Sequence, residues 1–486
     1  MFILTTFFYS TLVFAAPTWN ESIKNDLTEL YENPVKALNK VPTKSSSHNR
    51  FSSEAIKGRR YVEMKEGCRQ TQQVIKSPWR RNDRPEALVD NGLSIVKKLS
   101  DFENLKLLQG QAKTIPWSDS YWPMAEGTLS QRYQDPEWPY GTWKEMRDYA
   151  FKNSSSSLVK ASKLDILSPA EKYDLLLNDS KFTLFHSMWK EGELYWNEYG
   201  EVETWMGLCH GWATASFMLP EPLVGITISN GQEKIPFTVS DLKGLGTNLY
   251  AKGEIETKFV GGRCSTKDPT VDENGRVIED DCVDTNPGTW HLVVVNQLGI
   301  SKRPFIFDAT YDYQVWNQPA FKYKYQYFNP LTKEPTTDLK SAQILLTDFK
   351  TDLFKTYRSS KAKFVVGISM QITYGVENSP SPENHQPALS RTVHYLYDLE
   401  LNENEEIIGG EWYNNNHPDF LWVPALNAEI QTPGDQYLGT QGWRDHHDTN
   451  SEIMRASQYN AKNGMVLNLI VKELFKKAQP SIDEGP

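Results

Sequence analysis

Apolar positions between Arg84 and Gln111 fall at Leu88, Leu93, Ile95, Val96, Leu99, Leu105 and Leu108, a spacing that predicts a helix with one buried face. A Trp/Pro-rich stretch, Pro116 to Pro123, interrupts the pattern. Helical periodicity resumes over 143–178, where Ser168-Pro169-Ala170-Glu171 supplies an N-cap, a proline at the first helical position and an early carboxylate. Leu208 to Leu219 predicts a further helix that opens near Cys209. From about 226 to 424 the pattern turns to strands, among them His291 to Asn296, Pro304 to Asp308, Lys363 to Thr373 and Val393 to Leu401. Asn274-Gly275, between Val271 and Ile278, predicts a hairpin turn. Met465 to Lys477 predicts a closing helix. Helices first and an antiparallel sheet after them define an α+β class.

The two ends of the chain read differently from its middle. Phe2 to Phe14 is an apolar run of the length of a signal-peptide core, and Val13-Phe14-Ala15 permits cleavage after Ala15. The run is shorter than the roughly 20 residues that span a bilayer, so export to a secreted location without a membrane span is expected. Asn20, Asn153 and Asn178 head N-x-S/T sequons. Residues 16–112 read as a leader, polar and punctuated over 17–80, that contains the helix at its end. The expected division is 1–15 signal peptide, 16–112 leader or pro-segment, 113–350 catalytic core, 351–430 a β-rich part completing the sheet, and 431–486 a C-terminal extension.

Composition narrows the function. The 486 residues carry 52 basic and 62 acidic side chains, a net charge of −10, and no dense basic block. A nucleic-acid partner is excluded on that ground, because a phosphate backbone demands a basic face. The chain is long enough to bury a full core, and no coiled-coil or collagen bias appears. Four cysteines in a chain of this length are too few for a disulfide scaffold.

Cys209 lies in Thr204-Trp-Met-Gly-Leu-Cys-His-Gly-Trp-Ala213, ahead of helix-forming residues. A cysteine at a helix N-terminus faces unpaired N–H groups and the positive dipole end, which favour a nucleophilic thiolate. His291 opens a predicted strand, and Asp308 closes another seventeen residues later. On adjacent antiparallel strands the two can meet, with the aspartate orienting the imidazole and the imidazole taking the thiol proton. His210, next to the cysteine, points about 100° away on the helix and is expected to pack locally. Cys264 and Cys282 flank the Asn274-Gly275 hairpin; in an exported chain they are expected to form a disulfide, stabilising by about 3 kcal/mol in the loop-entropy model. No metal site is expected there. Thr270 to Asp281 matches only part of an EF-hand pattern, and a solvated hairpin is the expected form. Cys68 is left over in the leader, so a pro-segment that covers the site and bonds Cys68 to Cys209 is a further expectation.

These words together resemble the transglutaminase elicitor family, known from oomycete cell-wall glycoproteins and their bacterial relatives. Glu203 to Ala213 resembles its cysteine segment, Thr289 to Gly299 its histidine segment, and Phe305 to Thr310 its aspartate strand. Pro116 to Pro123 and Ser168 to Tyr173 resemble its upstream signature, and Gly409 to Trp412 and His417 to Trp422 its C-terminal part. Val315-Trp-Asn-Gln-Pro319, with Lys324 beyond, resembles the surface peptide that plant immune systems detect, and departs from it after Pro319. The resemblance runs from about 115 to about 425. It implies a transglutaminase/papain-like fold and a protein-glutamine γ-glutamyltransferase. Cys209 is then the nucleophile, His291 the general base and acid, and Asp308 the orienting group. Partners are glutamine- and lysine-containing proteins or primary amines. The chemistry needs no cofactor, and calcium dependence is possible on the family's pattern. Oxyanion donors are expected from the Cys209 N–H and an indole, Trp205 before Trp212. A cysteine peptidase or glutamine deamidase with the same triad, and a non-enzymatic cell-surface protein, are the alternatives.

Overall fold

The computed structural model describes residues 18–40, 44–46, 83–264, 266, 269–279, 282, 285–309, 314–384, 387–439 and 442–479. The signal run, Cys68 and Asp281 lie outside the described residues. Strands β1 (Lys44–Ser46), β2 (Gln109–Gln111), β3 (Ile226–Ser229), β4 (Lys234–Phe237), β5 (Thr257–Gly261), β6 (Phe305–Asp308), β7 (Asn317–Phe328), β8 (Pro335–Thr336), β9 (Ile344–Leu345), β10 (Phe364–Gly375), β11 (Ser390–Leu401), β12 (Ile407–Trp412) and β13 (Phe420–Pro424) alternate with helices. Apart from the β3–β4 hairpin they form one antiparallel sheet of 11 strands, with the path β1-β11-β10-β7-β6-β13-β5. The α+β class stands.

β7 is the spine. It pairs with β10 from Ala320 to Phe328 along one edge. Its other edge is filled in series by β6, β2 and β8. One face of the sheet carries Phe305 and Phe307 of β6, Tyr323, Tyr325 and Tyr327 of β7, and Ile368, Met370 and Ile372 of β10, all in one apolar cluster with Trp290. The opposite face carries Ile306 and Trp422, which join a second cluster built by the helices. In that cluster Trp122, Trp143, Trp189 and Trp212 pack with the helices Pro169–Leu176, Thr183–Tyr199, Cys209–Met218 and Val239–Lys252.

The helical half begins where capping boxes stand. Ser168 accepts from the Glu171 N–H, and the Glu171 carboxylate accepts from the Ser168 N–H. The same carboxylate binds the fully buried Arg132 in a two-bond fork at 2.6 and 2.9 Å. Lys172 Nζ meets Asp241 at 2.7 Å, also buried, and Asp241 completes the capping box of its own helix. A lone buried charge costs several kcal/mol, so the first pair fixes the loop at Arg132 on the Pro169–Leu176 helix and the second fixes that helix against Val239–Lys252.

Two sequence expectations change. The helix predicted over 84–111 is two short 3-10 turns, a helix at Leu99–Asn104, and β2. Asn91-Gly92 breaks the run, and Leu93 and Leu105 are exposed while Leu88, Leu99 and Phe102 are buried. Residues 83–112 are therefore not a detachable leader, because β2 completes the central sheet and Phe102 lies against His291. The C-terminal extension is likewise integral, with Ile453, Val466, Ile470, Leu474 and Phe475 in the helical core. Second, the run after Trp290 is a helix, Pro287–Val294, rather than a strand. Of the expected pro-segment, the Trp19–Glu32 helix lies over β10 and β11, where Trp19 bonds Ser369 at 2.8 Å, and residues 47–82 lie outside the described residues. The Cys264–Cys282 disulfide is formed, and Gly275 holds the turn at φ 85° with Val271 facing Val277 across it. Among the described residues no helix is long and apolar enough to cross a membrane.

A chain that begins at Lys113 is expected to be insoluble or to unfold without cooperativity. In the full chain, Phe102→Ala should cost about 3–5 kcal/mol in urea unfolding. A soluble 113–486 fragment with a sharp thermal transition would overturn the placement of residues 83–112 in the core.

Candidate functional site

Cys209 is the first residue of its helix, as the sequence predicts, and is buried. Small residues put it there. A Cβ on Gly207 would meet the Tyr121 ring and the Tyr121 and Trp122 carbonyls at 2.8–3.0 Å. A Cβ on Gly211 would meet the Thr247 carbonyl at 2.3 Å, so only glycine lets the Cys209 helix cross the Val239–Lys252 helix this closely. His210 bonds the Ala251 carbonyl at 3.2 Å, the local role expected for it, and burial pushes its pKa down to about 4.

The thiol has two polar neighbours among the described residues. Its S–H points to the Val315 carbonyl at 3.7 Å, and the Asn317 carboxamide donates to Sγ at 3.6 Å. The other end of that carboxamide accepts from Trp422 Nε1 at 2.8 Å. Asp308 is directly opposite Asn317 in the β6–β7 ladder, so the two side chains share a face. One Asp308 oxygen accepts the Trp316 N–H at 3.0 Å. Trp316 in turn stands edge-on to Tyr121, with ring centroids 5.1 Å apart, and both are partly exposed. The Val315–Pro319 segment is thus a corner at the thiol rather than a surface peptide: Val315, Asn317, Gln318 and Pro319 are all buried.

Burial pushes the Cys209 thiol up from its ordinary value near 9 to about 11. The Asn317 N–H groups oppose this, and the charges of Glu377 and Asp308 add to it. A shift of that size is about 3 kcal/mol, whereas a helix N-terminus contributes about 0.3–1 kcal/mol and at most about 2. Desolvation therefore outweighs the helix, and the thiol is neutral at pH 7, contrary to the thiolate expected from its position.

His291 does not reach this group. It sits on a helix that packs against the tyrosine face of the sheet, in contact with Tyr325 at 4.8 Å between ring centroids and with Phe102. Its Nδ1 pairs with the Tyr397 hydroxyl at 2.9 Å, and Nε2 has no partner among the described residues. Cys209, Asp308 and Asn317 are on the other face, so the sheet separates the expected base from the expected nucleophile. Burial pushes the His291 pKa down to about 3. The other described histidines are also committed away from the thiol: His394 to Ser369, His417 stacked on Trp412, His186 among Phe151 and Phe185, and His446 against His447. His48 and His385 lie outside the described residues.

The expected indole donors are committed elsewhere too. Trp212 Nε1 donates to the Trp117 carbonyl at 3.2 Å, and Trp205 Nε1 to the Glu203 carboxylate. Trp422 and Asn317 carried no role in the sequence reading, although both lie in words it singled out; what it lacked was their proximity across 105 residues. In the hairpin that matches part of an EF-hand pattern, Asp272 accepts from the N–H groups of Asn274 and Arg276 within the turn and from the Tyr357 hydroxyl, 85 residues further along the chain. A surface cavity of about 310 Å³ lies apart from the thiol, at the N-terminal end of the His291 helix, between Asp83, Lys97, Thr289 and Ile408.

The chain matches the family model described as "Transglutaminase elicitor" over residues 92–438. Among solved structures it is similar to the GP42 transglutaminase from Phytophthora sojae, at 21% identity and a TM-score of 0.48, over 71% of this chain and 91% of that one. No curated protein matches it.

The buried, neutral His291 has a pH signature. Unfolded, it titrates near 6.5; folded, near 3, so below pH 6.5 the unfolded state binds the extra proton. Its contribution is complete above pH 6.5 and is lost as pH falls toward 3, at about 1.4 kcal/mol per unit. The stability advantage of wild type over His291→Phe should therefore shrink by about 2 kcal/mol between pH 6.5 and pH 5 in urea unfolding. Parallel curves for the two proteins would place His291 in water instead.

Proposed function

Because the chain belongs to the transglutaminase elicitor family, we propose that it is a protein-glutamine γ-glutamyltransferase whose nucleophile is Cys209. The observation that carries the reading is the thiol itself: the one free cysteine among the described residues stands at the start of a helix, under the carboxamide of Asn317, whose ladder partner is Asp308. In the reaction, sulfur attacks the γ-carboxamide of a peptide glutamine, ammonia leaves with the thiol proton, and a γ-glutamyl thioester remains. A lysine amine then takes the acyl group, forms the isopeptide bond and returns a proton to sulfur. Asp308 is a positioning residue: it holds the Trp316 N–H, and so the corner that faces the thiol. His291 has no part in this version. Tyr121 and Trp316 supply the partly exposed aromatic wall on the approach side, which favours an amine over water at the thioester. The substrates are proteins that present glutamine and lysine outside the cell. The disulfide fits an oxidising location, in keeping with an exported chain. The chemistry calls for no cofactor, and calcium, if required, acts on the fold.

A second reading, a non-enzymatic surface protein, is favoured by one observation: the thiol is buried, neutral, and without a histidine among its described neighbours.

Incorporation of a fluorescent primary amine into casein separates the readings. Wild type should label casein, and Cys209→Ala should abolish labelling with an unchanged melting temperature. Adding chelator to the same assay reports calcium dependence. Ammonia release without amine incorporation would identify a deamidase, and an active Cys209→Ala protein would sink the mechanism.

A further inference from the structure

One carboxamide is already seated on the thiol. Asn317 lies with one end on Cys209 Sγ at 3.6 Å and the other on Trp422 Nε1 at 2.8 Å. An indole N–H can only donate, so the amide atom that faces it is the oxygen, and the NH₂ faces sulfur. All three side chains are buried, on the same face of the sheet. An acyl donor needs this environment for its own carboxamide, with sulfur beside the amide and a fixed donor on the oxygen where negative charge develops. Trp422 is also the indole at this site that is not committed to a backbone carbonyl or a carboxylate, as Trp212 and Trp205 are.

We propose that Trp422 Nε1 is the oxyanion donor of the Cys209 site, and that the Asn317 side chain holds the seat of the substrate carboxamide until a glutamine displaces it. The proposal rests on the acyl-transfer reading of Cys209. As the sulfur–carbon bond forms, the carbonyl double bond opens and its electron pair moves to oxygen, where the indole N–H receives it. On collapse the carbon–nitrogen bond breaks, and the nitrogen departs as ammonia with the proton that the thiol brought. The indole keeps its N–H throughout. Amine attack on the thioester passes through a second oxyanion at the same donor, and the amine's surplus proton ends on sulfur. Before any of this, the seat has to empty, and the thiol stays capped by Asn317 and the Val315 carbonyl while it is full.

Labelling of Cys209 in the full-length protein tests this without turnover. Two reagents are compared: a peptide with a chloromethyl ketone in place of the glutamine carboxamide, and methyl methanethiosulfonate, which has no carbonyl. Trp422→Phe keeps the ring and loses the N–H. It should slow ketone labelling about 10²-fold and leave thiosulfonate labelling within about threefold. Asn317→Ala should speed both by about tenfold, because the cap is gone. Trp422→Phe that labels with the ketone as fast as wild type, or that slows both reagents alike, overturns the donor. Asn317→Ala that labels no faster overturns the seat; if that variant does not fold, the Trp422→Phe comparison still decides the donor. Wild type that follows the ketone pattern yet incorporates no amine overturns the acyl-transfer reading and leaves the donor assignment standing.

Discussion

A β-strand turns successive side chains to opposite faces, and on β6, β7 and β13 this period of two decides which groups can meet. Asp308 and Asn317 are paired across the ladder, and Trp422 is paired with Ile306 two residues from Asp308, so all three face the Cys209 helix. Phe305 and Phe307 take the alternate positions on β6 and face the His291 helix; on β7 a register shift between Ala320 and Lys322, opposite Thr373 and Tyr374, turns Tyr325 to that same side although it stands an even number of residues from Asn317. A one-residue slip of β6 would turn Asp308 toward the histidine's side, and it would turn Phe305, Ile306 and Phe307 with it. The sheet is thus a partition. Its helical side holds the Cys209 thiol, and its other side holds an aromatic core in which His291 is one more ring with a single hydrogen bond.

Burial then sets the protonation of both groups in the same direction, toward neutrality. Cys209 is driven up and His291 down, because each loses water that its charged form needs. The helix dipole and the Asn317 N–H groups pull the thiol the other way but are smaller. The resting site is therefore dry and uncharged at sulfur, and its reactivity depends on what replaces the groups that cap it.

Much of this was legible in the sequence where local rules operate. The capping box at Ser168, the glycine hairpin at Gly275, the helix after Leu208 and the strand that ends at Asp308 all rest on residues within a few positions of one another. The helix at Pro287–Val294 also carried its signal: Asn286 caps it through the Gly288 N–H, and proline follows at the first position. The β-branched run Val293 to Val295 outweighed that signal in a reading by propensity, because a run buried on all sides looks alike in strand and helix. The triad could not be judged from spacing, since seventeen residues between His291 and Asp308 allow either face. Trp422 and Asn317 were not legible as a pair at all. Their contact exists only because β13 and β7 flank β6, a fact of topology that no local pattern encodes.

The choice of residue at 317 follows from its two neighbours. Trp422 presents a buried N–H that must be accepted, and the sulfur accepts a donor. A carboxylate would satisfy the indole, but it would face Asp308 across the ladder and add a third negative group beside Glu377, driving the thiol further from ionisation. An apolar side chain of the same shape would leave the indole unpaired, at about 1–3 kcal/mol. A primary amide, neutral and both donor and acceptor, meets both demands at this chain length. Under the proposed acyl transfer it is also the functional group that the donor brings, so the requirement that keeps the resting site satisfied would be the one that shapes it for a carboxamide.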